Sequence, residues 1–247
     1  MEALTIADSS GEFSRKAWLL PGHGKPGKVA LFLDGEFYVE RMNAPALLTD
    51  LQARDLIPPM TCLFISHVDA TTRHEDYTCS AAFARFLVED AVPWARKHAG
   101  IQSDSGHFIG GASLGGLQAA YTALHHPGVF SSILCQSGSF WWHHEWLSGS
   151  LKRPPPAPAR FWLSVGSNET ASGVTHPPSG LVQKVDQISA VKRFSEALDA
   201  QSHHVHYHLY DGGHELASWE KELPEAMTWL LRPSSVVAAA ATVAAGG

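Results

Sequence analysis

The 247-residue sequence has little positive charge, with 18 Lys and Arg against 24 Asp and Glu and a formal net charge of −6. Proteins bind DNA and RNA backbones mainly through Lys and Arg, so this balance argues against a nucleic-acid ligand. A small molecule is therefore the expected partner.

Cysteine and long apolar runs are also scarce. The three cysteines, Cys62, Cys79 and Cys135, are an odd number without CxxC or metal-ligand spacing, which favours reduced thiols and no metal site. No run reaches the roughly 18 apolar residues of a membrane span, and Glu2 and Asp8 do not fit a signal peptide. We therefore expect no membrane partner and a cytoplasmic location.

The sequence contains 45% hydrophobic and 17% charged residues, as expected of a globular chain. Short apolar runs alternate with segments of helical periodicity, which predicts an α/β fold with a mostly parallel central sheet and helices on both faces. Ligands of such sheets bind beyond the carboxyl ends of the strands. The predicted strands are 14–20, 29–33, 61–66, 107–110, 131–135, 160–165 and 205–210, and the predicted helices are 44–53, 81–98 with a kink at Pro93, 117–125 and 185–200.

Three segments have the composition of irregular structure. Residues 152–159 are rich in proline and predict an extended crossing, and residues 170–180 predict a mobile loop. Residues 233–247 are of low complexity and predict a disordered or weakly helical tail. We expect residues 1–232 to form a single domain.

The segment Gly111-Ala112-Ser113-Leu114-Gly115 matches the G-x-S-x-G elbow, in which a nucleophilic serine lies on a sharp turn from a strand to a helix. The alternative is a small residue in a glycine-rich turn. The predicted strand before Ser113 and helix after it favour the nucleophile. A side chain in place of Gly111 or Gly115 would collide with the backbone of adjacent segments in such a turn.

A serine nucleophile needs a base, and in α/β-hydrolases the order along the chain is nucleophile, acid, histidine. Of the 15 histidines, His214 alone combines a late position, a preceding strand and a flexible glycine pair. Another group, His204, His206 and His208, alternates along a strand, and no carboxylate or cysteine completes it as a metal site.

The acid is expected after the strand that precedes the last long helix, where Glu169 ends the run VGSNE. A carboxylate there would accept the second imidazole N–H and stabilise the imidazolium. Asp186 and Asp211 are the competing carboxylates, and Asp186 also fits the first turn of a helix.

Two backbone amides are candidates for the oxyanion hole. The N–H of Leu114 follows the nucleophile at a helix N-terminus, and a second N–H is expected from the loop at Gly35 and Glu36. For the latter, an ordinary turn is the alternative.

Five motifs resemble the catalytic domain of the enterochelin (enterobactin) esterase family of α/β-hydrolases, which cleave a siderophore trilactone. They cover residues from about 14 to 232 in order. They are LDGEFY from Leu33, the block from Asp69 to Cys79, GASLGG from Gly111, CQSGSFWW from Cys135 and DGGHELASW from Asp211.

The resemblance implies an α/β-hydrolase fold and a serine esterase with Ser113 as nucleophile, His214 as base and Glu169 as acid. Such an esterase needs no cofactor or metal, and the resemblance implies a small-molecule ester as the substrate, specifically a catecholate siderophore lactone. It also implies that Arg73 shapes an anionic-substrate site; the alternative is an ion pair with Asp76.

Aromatic residues after the fourth motif are candidates for substrate contact. Trp141 and Trp142 would offer a flat apolar surface to an aromatic acyl group, and packing in the core is the alternative.

The sequence departs from the family pattern in three places, which keeps other functions open. The family carries a further N-terminal domain, whereas this sequence begins close to the hydrolase motifs. The glutamate of the family's R-x-x-E pattern is replaced by Asp76 in this sequence. The loop after Glu169 is longer than expected. The alternatives are a general carboxylesterase or a feruloyl or acetyl esterase, an acyltransferase, and a non-catalytic binding protein of the same fold.

Overall fold

The computed structural model describes residues 1–8, 10–151, 155–177 and 179–232. Within them, eight strands form one sheet in the order β1-β2-β4-β3-β5-β6-β7-β10. These strands are β1 (Ala3–Ala7), β2 (Ser14–Leu20), β3 (Lys28–Leu33), β4 (Met60–Ile65), β5 (His107–Ala112), β6 (Phe130–Gln136), β7 (Arg160–Gly166) and β10 (His204–Tyr210).

Neighbouring strands from β4 to β10 in this order pair in parallel, whereas β2 pairs antiparallel with both of its neighbours, β1 and β4, at one edge. The predicted α/β-hydrolase fold with a mostly parallel sheet is confirmed. The seven predicted strands all form, within two residues at either end. β1 is an additional edge strand.

Alternation along the central strands buries both faces of the sheet. Val29, Leu31 and Leu33 belong to one hydrophobic cluster, while Ala30 and Phe32, between them in β3, belong to the other. Because successive side chains of a strand point to opposite faces, each cluster needs its own layer of helices.

Eight α-helices connect or cover the described strands. They are α1 (Ala44–Ala53), α2 (Ala70–Tyr77), α3 (Ala81–Arg85), α4 (Val92–Ala99), α5 (Leu114–His125), α6 (Trp142–Ser150), α7 (Gln187–Ala200) and α8 (Leu216–Leu231). A π-helical segment, Phe86–Ala91, joins α3 to α4, and Pro93, the predicted position of the kink, lies after it in the first turn of α4. A second π-helical segment, Phe37–Arg41, follows β3.

The segment predicted as a mobile loop contains the first strand of a β-hairpin. β8 (Val174–His176) pairs antiparallel with β9 (Leu181–Gln183), and we call Val174–Gln183 the β8–β9 hairpin. Two three-residue strands among Gly, Ser, Thr and Pro have too little periodicity to be read from sequence. The predicted tail, 233–247, lies outside the described residues, as do 152–154 of the proline-rich segment.

The carboxyl ends of the parallel strands meet along one edge of the sheet. β3 ends before Asp34, β5 before Ser113, β6 before Ser137, and β10 before the loop to His214. No described helix combines the length and apolar character required to cross a membrane.

Candidate active site

Ser113 lies at the turn between β5 and α5 with φ 57° and ψ −122°, a backbone conformation that non-glycine residues rarely adopt. Two backbone hydrogen bonds hold it: its N–H donates to the Gln136 carbonyl at 2.8 Å, and its carbonyl accepts from the Ser139 N–H at 3.0 Å. A Cβ at Gly111 would lie 2.5 Å from the carbonyl carbon of Gly115, so the turn is too tight for a side chain there.

His214 lies in the loop between β10 and α8, and its Nδ1 is 2.6 Å from Oε2 of Glu169. Glu169 follows β7, and its side chain is 5% exposed whereas that of His214 is 44% exposed. An accessible imidazole is therefore oriented by a buried carboxylate, with one ring nitrogen engaged and Nε2 left for chemistry.

The second oxygen of Glu169, Oε1, accepts three hydrogen bonds: from the Ser137 hydroxyl at 2.6 Å, the Gly166 N–H at 2.7 Å and the Tyr210 hydroxyl at 3.2 Å. The Trp219 indole N–H donates to both hydroxyl oxygens at 3.1 Å. This network leaves Oε2 to face the imidazole.

These contacts decide the charge of Glu169. Burial would raise its pKa, but the hydrogen bond and charge of His214, with the Ser137 and Gly166 bonds, outweigh burial and hold the pKa below its ordinary value. Glu169 is therefore a carboxylate at neutral pH.

Ser113 and His214 both line two cavities on this edge of the sheet. The first, about 260 Å³, is also bounded by Ser139, Glu169 and the β8–β9 hairpin. The second, about 510 Å³, lies on the side of Phe37 and α8. The Ser113 hydroxyl is 3.3 Å from that of Ser139.

The loop predicted to supply an oxyanion donor is held close to the sheet. Asp34 has a positive φ of 58°. A Cβ at Gly35 would lie 2.7 Å from the backbone of Phe64, so only glycine fits at that position. The side chain of Glu36 accepts from the Ser66 hydroxyl at 2.8 Å, and Leu114 begins α5 directly after Ser113.

The alternative partner expected for Arg73 was wrong. Its guanidinium makes two 2.7 Å bonds to the fully buried carboxylate of Asp34, whereas Asp76 pairs with Arg15 at 2.6 Å. Both carboxylates are buried and each takes its own guanidinium. His67 also contacts Asp34, at 2.9 Å.

Charge compensation explains the state of this cluster. Burial raises the pKa of Asp34, yet the charge and hydrogen bonds of Arg73 outweigh burial and lower it. Arg73 thus fixes the Asp34 loop while it also lines the second cavity.

The structure separates the two neighbouring tryptophans. Trp141 lines the first cavity and stacks on His176 of the hairpin, with ring centroids 4.7 Å apart. Trp142 packs edge-on against Trp146, 6.3 Å away, and is not part of either cavity wall.

The competing acids and histidines have other contacts. Asp186 caps α7 by accepting from the Ser189 N–H, and Asp211 contacts the Ser167 hydroxyl at 3.4 Å. His206 stacks on Trp162 at 4.2 Å. In the ranges that the structure describes, no group of three or more His, Cys, Asp or Glu could hold a metal ion.

Several residues at the site had no role assigned from the sequence. Ser137 and Ser139 belong to the CQSGSFWW motif, which signalled their place but not their contacts. No sequence motif pointed to Tyr210, His176 or Gln187, because their contacts join chain segments up to 73 residues apart.

Comparison with known proteins places this geometry in a family. The pattern of the esterase family described as "Putative esterase" matches residues 15–230. An iron(III) enterobactin esterase of Dickeya dadantii is 31% identical over 92% of this chain and 55% of its own length, and one of Escherichia coli strain K12 is 27% identical over 89% and 54%. The chain thus spans about half the length of these relatives.

Solved structures agree in fold. The enterobactin esterase of Shigella flexneri, solved in the presence of enterobactin, superposes with a TM-score of 0.77 at 27% identity and covers 93% of this chain and 58% of its own. A ferulic acid esterase superposes with a TM-score of 0.72 at 14% identity over 94% and 97%, which shows the shared fold alone. With the family pattern spanning almost all of the described residues, the chain belongs to the "Putative esterase" family of α/β-hydrolases.

Proposed function

We propose that this protein is a serine esterase that uses Ser113, His214 and Glu169 as a catalytic triad. The observation that carries the proposal is the 2.6 Å contact from His214 Nδ1 to Glu169 Oε2, with Ser113 on a strained elbow in the same cavity. A buried carboxylate that orients an accessible imidazole, with a serine in the wall of the same cavity, is an arrangement typical of nucleophilic acyl transfer.

In the first step, His214 Nε2 takes the proton of the Ser113 hydroxyl as Oγ forms a bond to the ester carbonyl carbon. For this transfer the Ser113 hydroxyl, which lies 3.3 Å from that of Ser139, must donate to His214 Nε2. The N–H of Leu114 and a backbone N–H of the Gly35–Glu36 loop would donate to the oxyanion, each worth about 3 kcal/mol by deletion.

The tetrahedral intermediate collapses when the bond to the alcohol oxygen breaks and His214 returns the proton to that oxygen. Water then attacks the carbonyl carbon of the acyl-enzyme while His214 takes a proton from the water. The bond to Ser113 Oγ breaks, and His214 returns the proton to Oγ, which frees Ser113. Glu169 keeps its charge in every step and stabilises the imidazolium.

For the substrate, we propose a catecholate siderophore lactone. The relatives named as iron(III) enterobactin esterases, and the Shigella flexneri enzyme solved in the presence of enterobactin, support this substrate class. The wall of the second cavity contains Arg41, Arg73 and Glu215, and Arg73 is paired with Asp34, so it is the Arg41 guanidinium that supports an anionic substrate.

A rate comparison tests both parts. We expect Ser113→Ala to lose ester hydrolysis and labelling by a fluorophosphonate probe while the thermal unfolding midpoint stays close to that of the wild type. We expect a catecholate trilactone to react faster than 4-nitrophenyl acetate or methyl ferulate. Full activity in Ser113→Ala contradicts the triad; a preference for acetate or ferulate contradicts only the lactone, and transfer to an added alcohol in place of water identifies an acyltransferase.

A further inference from the structure

The longer segment after Glu169 builds a wall of the first cavity. Ala171, Val174, His176 and Gln183 come from this segment, and Gln187 follows it at the start of α7. At about 260 Å³ the cavity holds one compact group rather than a long chain, since a cavity of about 150 Å³ already takes up benzene.

Gln187 presents a hydrogen-bond acceptor at this cavity. Its Nε2 donates to the carbonyls of Ser137 at 2.5 Å and Gly138 at 2.7 Å, which fixes the amide orientation because an oxygen there would oppose two oxygens. The residue is 3% exposed and lines the cavity. Among the described residues nothing donates to its Oε1, so this acceptor is available to a ligand.

His176 has a fixed tautomer for a similar reason. Gln183 Nε2 donates to the Ala171 carbonyl at 3.2 Å, so its Oε1 faces His176 Nε2, also at 3.2 Å. Nε2 must then carry the proton, and Nδ1 is an acceptor in the neutral ring. Burial lowers the pKa of His176 despite the Gln183 bond, so the ring is neutral at pH 7.

Gln187, His176 and Trp141 therefore line the cavity together, and the first two each keep one acceptor atom, Oε1 and Nδ1, outside their other hydrogen bonds. We propose that this cavity receives the acyl part of the ester, that this part is compact and carries hydroxyl groups, and that Gln187 and His176 recognise those hydroxyl groups. The proposal rests on the proposed function, because it takes Ser113 as the acylated residue. The acyl part suits a walled cavity because it stays bound to Ser113 through both steps.

Matched esters test the recognition. The 4-nitrophenyl esters of 3-hydroxybenzoic and 3-methoxybenzoic acid share a leaving group and a ring, and differ in one hydroxyl donor. We expect kcat/KM to favour the hydroxyl ester roughly fivefold, the effect of about one net hydrogen bond. The esters of 3-hydroxybutanoic and 3-methoxybutanoic acid distinguish a phenolic from an aliphatic hydroxyl.

Two variants assign the preference to residues. His176→Phe keeps a ring stacked on Trp141 and removes the acceptor, and Gln187→Met removes the amide oxygen. We expect each to bring the hydroxyl-to-methoxy ratio towards one. His125→Phe is the matched control, because His125 also stacks on an aromatic ring, Tyr121, at 4.0 Å, but lies outside both site cavities. We expect it to keep the wild-type ratio.

The outcomes separate the two proposals. If the wild type labels with the fluorophosphonate and cleaves both benzoates with equal kcat/KM, hydroxyl recognition is refuted and the triad stands. A hydroxyl preference that persists in His176→Phe and Gln187→Met refutes the two residues. Should Gln187→Met not fold, His176→Phe alone decides.

Discussion

Replacing Glu169 by glutamine should inactivate the protein although the two side chains have nearly the same shape. The Gly166 N–H, 2.7 Å from Oε1, cannot reverse its role as donor, so the new amide must place its oxygen there. Its NH2 group then faces Nδ1 of His214, where the carboxylate Oε2 now lies at 2.6 Å. His214 must accept at Nδ1 and carry its proton on Nε2, the nitrogen that should accept the proton of Ser113.

The structure gives the magnitude. To regain the active tautomer, Nδ1–H and the amide N–H would have to face each other, which leaves two donors unpaired at about 1–3 kcal/mol each. A total of about 4 kcal/mol corresponds to roughly a thousandfold loss in kcat/KM. Loss of the charge that stabilises the imidazolium brings the expected effect towards 10⁴-fold.

The assay is kcat/KM for a 4-nitrophenyl ester, with thermal unfolding to establish that each variant is folded. Asp211→Asn is the matched control, since it makes the same change in an exposed side chain three residues before His214, and we expect it to stay within about twofold of the wild type. Glu169→Ala frees both imidazole tautomers, so we expect the glutamine variant to be no faster than the alanine variant. If Glu169→Gln retains more than about a tenth of wild-type activity, Glu169 does not set the tautomer and the reasoning fails.

Three further predictions concern the groups around the site. Arg73→Gln leaves Asp34 buried without its guanidinium and should lower the free energy of unfolding by about 3–5 kcal/mol in urea; unchanged stability with a higher KM would instead identify Arg73 as a direct substrate ligand. Burial raises the pKa of Glu222 to about 7, so the folded chain holds the carboxyl proton more tightly than the unfolded chain does. The free energy of unfolding of the wild type, relative to that of Glu222→Gln, should therefore fall between about pH 4.3 and pH 7 and level off above, and an equal difference at every pH, measured by urea unfolding, would contradict this. Ser137→Ala removes the 2.6 Å donor to Glu169 and should lower kcat roughly tenfold with KM unchanged, whereas Ser137→Thr, which keeps the hydroxyl, should recover part of it; equal rates in both variants would exclude a role for that hydroxyl.

The features predicted from the sequence are those that local pattern encodes. A strand such as β3 is a short apolar run, and Asp34, Ser113, Glu169 and His214 all come just after predicted strands. Parallel strands bring their carboxyl ends to one edge, so chain order alone placed these residues together.

What escaped prediction depends on contacts between distant segments or on weak local signals. The alternative expected for Arg73 was an ion pair with Asp76, three residues away, but its partner Asp34 is 39 residues distant. Helix α2, with the sequence ATTRHEDY, lacks an apolar stripe and was not predicted; its start is fixed by Asp69, which caps it through the Thr72 N–H.

At this edge of the sheet, the bonds that hold Ser113 and Glu169 come from one segment, and part of the wall of the first cavity comes from another. The segment from Gln136 to Ser139 holds two members of the proposed triad: its backbone bonds to Ser113 on either side, and its Ser137 hydroxyl bonds to Glu169. None of these bonds involves the β8–β9 hairpin, which lines the first cavity and stacks His176 on Trp141. Because a hairpin paired only with itself can change without moving the triad, substitutions in it should alter the ranking of esters more than the rate on a small ester such as 4-nitrophenyl acetate. We therefore expect the longer segment after Glu169 to be the part of this chain that determines its substrate preference most directly.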